Sequence, residues 1–251
     1  MYDKYIIYST VIALYKLYII MKKRILLKIS GEMLSTNGKF IDKPAMTALK
    51  NELEDASKIS EIGIVLGGGN FWRGKDNKNL ELFRGKSDHI GMLATVMNAL
   101  SFSAFLENYC IKTAVFSARS MPSFCEEFNL EKVDKAFEEG RICFFCGGTG
   151  SPFFTTDSAS ALRAIEIKAD MYAKATTIDG VYDSDPRKNK DAKKYATVSF
   201  QEVISKQLQV MDTSAFALCN ENNLPVQVFD GSIAGNIEKV LQGKIIGTIV
   251  Q

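Results

Sequence analysis

Two lysines interrupt apolar segments that have the length and composition of buried strands. Lys28 stands in ILLKIS (25–30) and Lys174 stands in MYAKAT (171–176). Because burying an unpaired ammonium group is costly, each lysine should meet an anion or solvent at the end of its strand. Either one alone could equally be a solvated lysine on an edge strand. Two such lysines, each near the end of a strand and close to glycine-rich turns, favour a site for a phosphate.

Glycine-rich turns follow three of the apolar segments. They read KISG (28–31), GGGNFWRG (67–74) and GGTGSPFFTTD (147–157). Glycine lets backbone N–H groups approach an anion closely, and the N-terminus of a following helix adds about half a positive charge. Parallel sheets need turn glycines in any case, but three such turns at one edge favour anion binding. Arg73 is either a surface arginine in a loop or a planar guanidinium that binds phosphate.

Two carboxylates stand where helices are expected to begin. Asp88 precedes a long apolar segment, and Asp157 precedes a shorter one. Either could simply cap its helix, because aspartate is a favoured N-cap residue. Alternatively, Asp88 could accept hydrogen bonds from sugar hydroxyls, and Asp157 could orient the two lysines or a metal ion.

Short apolar segments alternate with stretches of helical spacing along the chain, for example 88–108 and 157–168. This alternation predicts an α/β fold with a mainly parallel sheet, in one domain, with ligands at the carboxyl ends of the strands. The charged segment 183–194 is predicted to be a loop. The expected strands are RILLKIS (24–30), IGIVLGG (62–68), IKTAVFS (111–117), ICFFCGG (142–148), MYAKAT (171–176), PVQVFD (225–230) and IIGTIV (245–250).

Composition excludes several classes of function. The net charge of +2 gives no general attraction for nucleic acid or an anionic membrane, and a single histidine, His89, argues against histidine-rich metal sites. Five cysteines do not form a disulfide framework. Cys143 and Cys146 lie in a predicted strand and should point to opposite faces of it, as inert core thiols. The expected compartment is the reducing cytoplasm.

Residues 1–20 differ from the rest of the chain. They are apolar and rich in tyrosine, but Lys16 interrupts them, and Met21 opens a natural-looking start, MKKRILLKISG. A membrane helix needs about 20 apolar residues, so this segment is a poor match to one. We interpret residues 1–20 as an extension outside the fold, with a weak membrane anchor as the alternative.

Six segments together resemble bacterial uridylate kinases, a family within the amino acid kinase superfamily. The resemblance runs in consistent order from about residue 21 to the C-terminus. One departure is Ser151, where family members commonly have asparagine. The segments are LLKISGE (26–32), GGGNFWRG (67–74), SDHIGMLATVMNAL (87–100), GGTGSPFFTTDSASALR (147–163), KATTIDGVYDSDP (174–186) and VMDTSAFALC (210–219).

The resemblance implies a three-layer αβα sandwich around a mainly parallel sheet, formed by residues 21–251. It implies transfer of a phosphoryl group from ATP to UMP with Mg²⁺, and no side-chain metal ligand is assigned. The N-terminal lobe would bind UMP and the C-terminal lobe ATP. Lys28 would be the main electrostatic catalyst, with Lys174 as a second and Asp157 organising both.

The remaining site residues are carried over by their position in the motifs. The ATP side would comprise Lys28, Ile29, Ser30, Gly31, Gly69, Arg73, Thr176, Tyr182 and Asp185. The UMP side would comprise Gly68, Asp88, Thr149, Gly150, Ser151, Pro152, Phe153, Phe154, Thr155 and Thr156. The family is usually a homohexamer that UTP inhibits, so both properties are expected here, and neither a nucleic acid nor a membrane is an expected partner.

Two other functions remain open at this point. One is a different member of the superfamily that phosphorylates a carboxylate or carbamate, against which the long matching segments argue. The other is a non-catalytic nucleotide-binding or storage protein on the same scaffold. The presence of Lys28 and Arg73 argues against that second function.

Overall fold

The computed structural model describes residues 22–38, 40–73, 80–208 and 210–251. The predicted extension at 1–20, the start at Met21 and Gly74 of the second glycine-rich turn lie outside the described residues. Within them, nine strands form one sheet, in the order β4-β3-β5-β2-β1-β6-β8-β9-β7. The strands are β1 (Arg24–Ile29), β2 (Glu61–Leu66), β3 (Thr113–Ser117), β4 (Glu126–Glu127), β5 (Ile142–Cys146), β6 (Met171–Thr176), β7 (Thr197–Val198), β8 (Val226–Asp230) and β9 (Thr248–Val250).

Helices connect most of these strands. A short 3-10 turn, Gly31–Leu34, follows β1 directly. The α-helices are α1 (Lys43–Glu54), α2 (Ala56–Ile59), α3 (Arg84–Glu107), α4 (Leu130–Glu138), α5 (Thr156–Glu166), α6 (Phe200–Ser205), α7 (Thr213–Glu221) and α8 (Asn236–Leu241).

The sheet is covered by helices on both faces, because its central strands are apolar on both sides. In β1, Leu26 packs into one core cluster with residues of α4 to α7. Ile25 and Leu27 pack into a second cluster, with residues of α1, α3 and α8. These two clusters form the three-layer αβα sandwich, so the predicted fold class is confirmed.

The sheet is parallel throughout, except where β8 pairs with β9. All seven predicted strands are present, and the segment 183–194 is a loop fastened by an isolated bridge between Tyr182 and Lys194. Two strands of two residues each, β4 and β7, were not predicted because they are too short to show a periodic pattern.

The topology places the three glycine-rich turns side by side. They follow β5, β2 and β1, which are adjacent parallel strands, and β6 adjoins β1 on the other side. The predicted clustering of these turns at one edge is therefore confirmed. By length and composition alone, one helix in the described part of the chain, α3, could cross a membrane. However, 44% of its apolar window is buried inside the protein, and core helices pass the same test.

Candidate active site

Lys28 and Lys174 meet a carboxylate that belongs to the protein itself. The two lysines are register partners on β1 and β6, and their side chains converge on Asp157 from the neighbouring helix α5. Lys28 Nζ lies 3.1 Å from Asp157 Oδ1, while Lys174 Nζ donates to Asp157 Oδ2 and, at 2.5 Å, to the backbone carbonyl of Val210. The expectation that each lysine meets an anion is confirmed. The three groups keep a net charge of +1.

Asp157 does not cap its helix. Thr155 is the N-cap of α5, and its hydroxyl accepts hydrogen bonds from the N–H groups of Asp157 and Ser158, at 3.1 and 3.2 Å. The same hydroxyl donates to Asp212, which in turn caps α7 through the N–H of Ala215. The capping alternative for Asp157 is therefore wrong, and its carboxylate is left to hold the lysines.

Burial and charge act in opposite directions on the Asp157–lysine cluster. Burial by itself raises the pKa of Asp157, but the positive charges of Lys28 and Lys174 outweigh it and hold that pKa below its ordinary value. Burial lowers the pKa of Lys174, although Asp157 opposes that change. Asp157 is accordingly ionised at neutral pH and acts as a fixed negative charge between two ammonium groups.

A cavity of about 410 Å³ opens beside this cluster, between the turns that follow β2 and β5 and the first turns of α3. Its walls carry small, polar and aromatic side chains, which are the kinds of side chain that a nucleotide pocket needs. Seven of its lining residues were predicted on the UMP side, and two on the ATP side. The lining comprises Gly68, Gly69, Trp72, Arg73, Arg84, Ser87, Asp88, Gly91, Met92, Thr95, Gly148, Thr149, Ser151, Phe154, Thr155 and Thr156.

Asp88 lies on the wall of the larger cavity and holds the opposite loop in place. Its carboxylate accepts the backbone N–H of Phe153 at 2.8 Å and lies 3.7 Å from Nε of Arg84. The alternative that Asp88 caps its helix is wrong, because α3 begins four residues earlier and its N-cap is Phe83. Phe153 needs this support because its φ of 72° is unusual for a residue other than glycine.

A second cavity, of about 340 Å³, lies on the other side of the cluster at the carboxyl ends of β1 and β6. Lys28 and Lys174, the two catalytic candidates on strands, line this cavity, as do Ser30 and Thr176 from the predicted ATP side. Arg187, from the charged loop 183–194, also lines it. The full lining is Lys28, Ser30, Glu32, Met33, Lys174, Ala175, Thr176, Thr177, Ile178, Gly180, Arg187, Val210 and Val228.

An ion pair links the two cavities. Arg73 lines the larger one, Glu32 lines the smaller one, and the guanidinium of Arg73 pairs with the carboxylate of Glu32. Arg73 Nε also donates to the carbonyl of Gly69 at 3.0 Å. The family resemblance assigned Gly69 and Arg73 to the ATP side. The structure places both beside the UMP-side residues, at the boundary between the cavities.

Several predicted site residues lie outside both linings. The side chain of Ile29 is in the core, and Gly31 is buried. Tyr182 donates to Asp179 at 2.7 Å, and Asp185 accepts the N–H of Arg187 at 3.0 Å, so both shape the loop beside the smaller cavity. Gly150, Pro152 and Phe153 belong to the turn after β5 but do not line the larger cavity, and Gly150 lines a separate cavity with His89 and Arg119.

Other residues of the site were not predicted from the sequence. Thr95 accepts the N–H of Gly147 at 3.0 Å and so fixes the turn after β5 to α3. Asp212 fixes Thr155, and Tyr172 donates to Asp157 at 3.3 Å. Asp212 lies in a segment that resembled the family, but nothing in its spacing pointed to Thr155, because the two are distant in sequence.

The cysteines confirm the interpretation of the CxxC segment. Cys143 packs into the core cluster on one face of the sheet, and Cys146 packs into the cluster on the other. Burial raises the pKa of both thiols well above the ordinary value. Within the described residues, no group of three or more histidine, cysteine, aspartate or glutamate side chains is arranged to hold a metal ion.

Comparisons with known proteins agree with this geometry. The profile of the amino acid kinase family matches residues 23–230. The chain is 46% identical to the uridylate kinase of Zymomonas mobilis over 229 residues, which cover 90% of this chain and 95% of that protein. It is 47% identical to the uridylate kinase of Rickettsia typhi over 226 residues, covering 88% and 92% of the two chains.

This chain belongs to the uridylate kinases of the amino acid kinase family. Solved structures of the family have the same fold. The UMP kinase of Ureaplasma parvum is 38% identical, with a TM-score of 0.87, and the match covers 92% of this chain and 99% of that one. The UMP kinase of Bacillus anthracis is 32% identical, also with a TM-score of 0.87, and covers 91% and 96%.

Proposed function

We propose that this chain transfers the γ-phosphoryl group of ATP to the phosphate of UMP, giving ADP and UDP. The observation that carries the proposal is the Lys28–Asp157–Lys174 cluster, which lies between two cavities of nucleotide size. A kinase for two nucleotides needs two such pockets and a positive charge where their phosphates meet. The sequences of the relatives, all named uridylate kinases, support the same reaction.

UMP fits the larger cavity. Asp88 offers a carboxylate to ribose hydroxyls, and Phe154 offers an apolar face to the base. Thr156, at the N-terminus of α5, and Arg73 lie where the phosphate would be held. The lining comes from residues 68–73, 84–95 and 148–156, which precede the segments that line the smaller cavity from 174 onward, and this supports assigning the UMP lobe to the N-terminal part of a single domain at 21–251.

ATP fits the smaller cavity, with its phosphates toward Lys28 and Lys174. This cavity also draws on residues 174–187 and Val210 and Val228, which supports assigning the ATP lobe to the C-terminal part of the chain. Tyr182 and Asp185 shape the loop at the adenosine end. Ile29 and Gly31 contribute through the position of their backbone rather than through side chains.

Phosphoryl transfer depends on alignment and on neutralising charge. A phosphate oxygen of UMP attacks the γ-phosphorus of ATP, and the bond to the β,γ-bridging oxygen breaks. UMP is already an anion, so no general base is required. Lys28 neutralises the charge that develops on the transferred group, while Asp157 holds the ammonium groups of Lys28 and Lys174 close together despite their mutual repulsion.

Mg²⁺ is expected to enter with ATP as its phosphate complex. Mg²⁺ usually binds through substrate phosphates, water and one or two carboxylates rather than through an all-protein cage. Glu32 is a carboxylate on the wall of the smaller cavity, which fits this mode of binding. Bound there, Mg²⁺ would neutralise charge on the phosphates of ATP.

We also propose that the protein is a cytoplasmic homohexamer that UTP inhibits, as the family resemblance implies. An exposed apolar stripe on α3, formed by Ile90, Leu93 and Met97, supports assembly with further copies of the chain. UTP shares the base and ribose of UMP, so it would compete with UMP for the larger cavity. Light scattering of the purified protein checks the mass, and Leu93→Arg should reduce it if the stripe is an interface.

The deciding experiment measures ADP release from ATP and Mg²⁺ with UMP, CMP, dCMP or simple carboxylates as acceptor. We expect turnover with UMP alone, strongly reduced in Lys28→Ala and unchanged in Lys132→Ala, whose lysine pairs with Glu126 on the surface. Binding of UMP without turnover would instead support the non-catalytic storage function. Faster turnover with CMP or a carboxylate would contradict the assignment of the larger cavity to UMP.

A further inference from the structure

A buried tyrosine hydroxyl contacts the catalytic cluster and has no role in the reaction described so far. Tyr172 lies on β6, two residues before Lys174 and therefore on the same face of the sheet. The side chain is fully buried, and its ring packs in the core cluster beneath α5. Phenylalanine would fill nearly the same volume without placing a polar atom in the core, so the hydroxyl itself needs an explanation.

The hydroxyl of Tyr172 donates to Oδ1 of Asp157 at 3.3 Å. Lys28 lies 3.1 Å from the same oxygen, while Lys174 donates to Oδ2. Donors on both carboxylate oxygens fix the rotation of the group about its terminal bond. Tyr172 approaches from the core side, whereas both lysines line the smaller cavity.

Tyr172 is suited to act as a permanent donor. Burial raises the pKa of Tyr172 well above its ordinary value, and the charge of Asp157 raises it further, so the hydroxyl keeps its proton. Because it is fully buried and lies outside both cavity linings, it cannot touch either nucleotide. Any effect on the reaction must pass through Asp157.

We infer that Tyr172 is a positioning residue for phosphoryl transfer, which holds the Asp157 carboxylate in place when Lys28 turns toward the transferred group. Without it, Oδ1 would lose its remaining side-chain donor as the ammonium of Lys28 shifts to the phosphate. The carboxylate would then be free to rotate or follow Lys28. This inference rests on the proposed function, because it concerns the same cluster.

The test is Tyr172→Phe, assayed with saturating UMP and ATP. We expect kcat to fall about tenfold, the lower end for a hydrogen bond to a charged group, with both KM values within about twofold of wild type. The pKa of the Asp157 carboxyl, followed by NMR titration, should rise, because Asp157 loses a donor that favours its charged form. Tyr195→Phe, which removes a surface hydroxyl that accepts from Lys206, is the matched control. It should change neither kcat nor the pKa of Asp157.

A double-mutant cycle with Asp157→Asn separates positioning from packing. If Tyr172 acts through Asp157, Tyr172→Phe should cause little further loss of kcat in the Asp157→Asn background. An undiminished further loss there, or a wild-type kcat and a wild-type Asp157 pKa in a folded Tyr172→Phe protein, would overturn the inference. Absence of UMP-dependent turnover in the wild type would instead overturn the proposed function.

A second variant covers the case in which Tyr172→Phe does not fold. Incorporation of 3-fluorotyrosine at position 172 makes the hydroxyl a stronger donor while nearly preserving its volume. The pKa of the Asp157 carboxyl should then fall, opposite to the change in Tyr172→Phe. An Asp157 pKa that stays at the wild-type value would overturn the inference.

Discussion

Asn70 and Asn98 exchange two side-chain hydrogen bonds that tie the turn after β2 to helix α3. Nδ2 of Asn98 donates to Oδ1 of Asn70 at 2.8 Å, and Nδ2 of Asn70 donates back to Oδ1 of Asn98 at 2.9 Å. Their remaining hydrogens go to the carbonyls of Gly67 and Phe40, both at 2.6 Å. Both amides are buried and fully engaged, so the pair holds the Gly67–Gly69 turn at the boundary of the two cavities.

Replacing Asn98 should therefore destabilise the fold and weaken UMP binding together. Asn98→Leu keeps the volume but removes the donor to Oδ1 of Asn70, the acceptor of one Nδ2 hydrogen of Asn70, and the donor to the carbonyl of Gly67. We expect a loss of about 2–4 kcal/mol in the free energy of unfolding, measured by urea titration. The matched control is Asn222→Leu, because the amide of Asn222 donates to a carbonyl on the surface and its loss should change stability little. Equal effects of the two substitutions would contradict the role of the pair.

Asp157→Asn tests the centre of the catalytic cluster. The amide cannot balance the charges of Lys28 and Lys174, so the two ammonium groups should separate and Lys28 should leave its position. We expect kcat to fall by about 10²–10³, the range for losing one preorganised electrostatic element. Steady-state assays with UMP measure this, with Asp191→Asn on the exposed loop as the control. A kcat within twofold of wild type would show that the carboxylate does not organise the lysines.

The pH dependence of stability should carry the signature of Asp157. The pKa of this carboxyl is lower in the folded protein than in the unfolded chain, so its contribution is complete above the unfolded pKa of about 3.9. As pH falls through the folded pKa, the unfolded chain binds the proton more readily and the contribution is lost. Urea titrations between pH 7 and pH 3 should show a steeper loss in the wild type than in Asp157→Asn. Parallel curves would exclude this linkage.

Gly31→Ala tests the contact between the turns after β1 and β2. A Cβ atom at Gly31 would lie 2.2 Å from the carbonyl oxygen of Gly67 and 2.4 Å from Oδ1 of Asn70, so backbone would have to move. We expect a loss of about 1–3 kcal/mol of stability, as for overpacked cores, together with reduced turnover. At Gly69 the nearest atom to an added Cβ is a carboxylate oxygen of Glu32 at 3.5 Å, which is ordinary contact. Gly69→Ala should accordingly unfold at nearly the same urea concentration as wild type.

The fold was predictable because its central strands are apolar on both faces and its helices alternate with them. Lys28 and Lys174 were conspicuous because charge in such segments demands a partner. Their partner, Asp157, could not be assigned from the sequence, because an aspartate at the start of a helix is equally expected to be the N-cap. Only the structure shows that Thr155 takes the capping role and releases Asp157 for the lysines.

Other features left no local signal. The edge strands β4 and β7 have two residues each, which is too short for a pattern. The Asn70–Asn98 pair depends on side chains that meet only after α3 has packed on the sheet. Tyr172 reads as an ordinary core aromatic, and its one hint was its spacing of two residues from Lys174.

The placement of Cys143 and Cys146 on opposite faces of β5 gives each helical layer its own chemical reporter. Both thiols are buried, and β5 contacts α4 on the face of Cys143 and α3 on the face of Cys146, so an alkylating reagent can reach each thiol when the helix over it opens. Alkylation rates at the two sites, followed by mass spectrometry under native conditions, would show whether the layers detach together or one before the other.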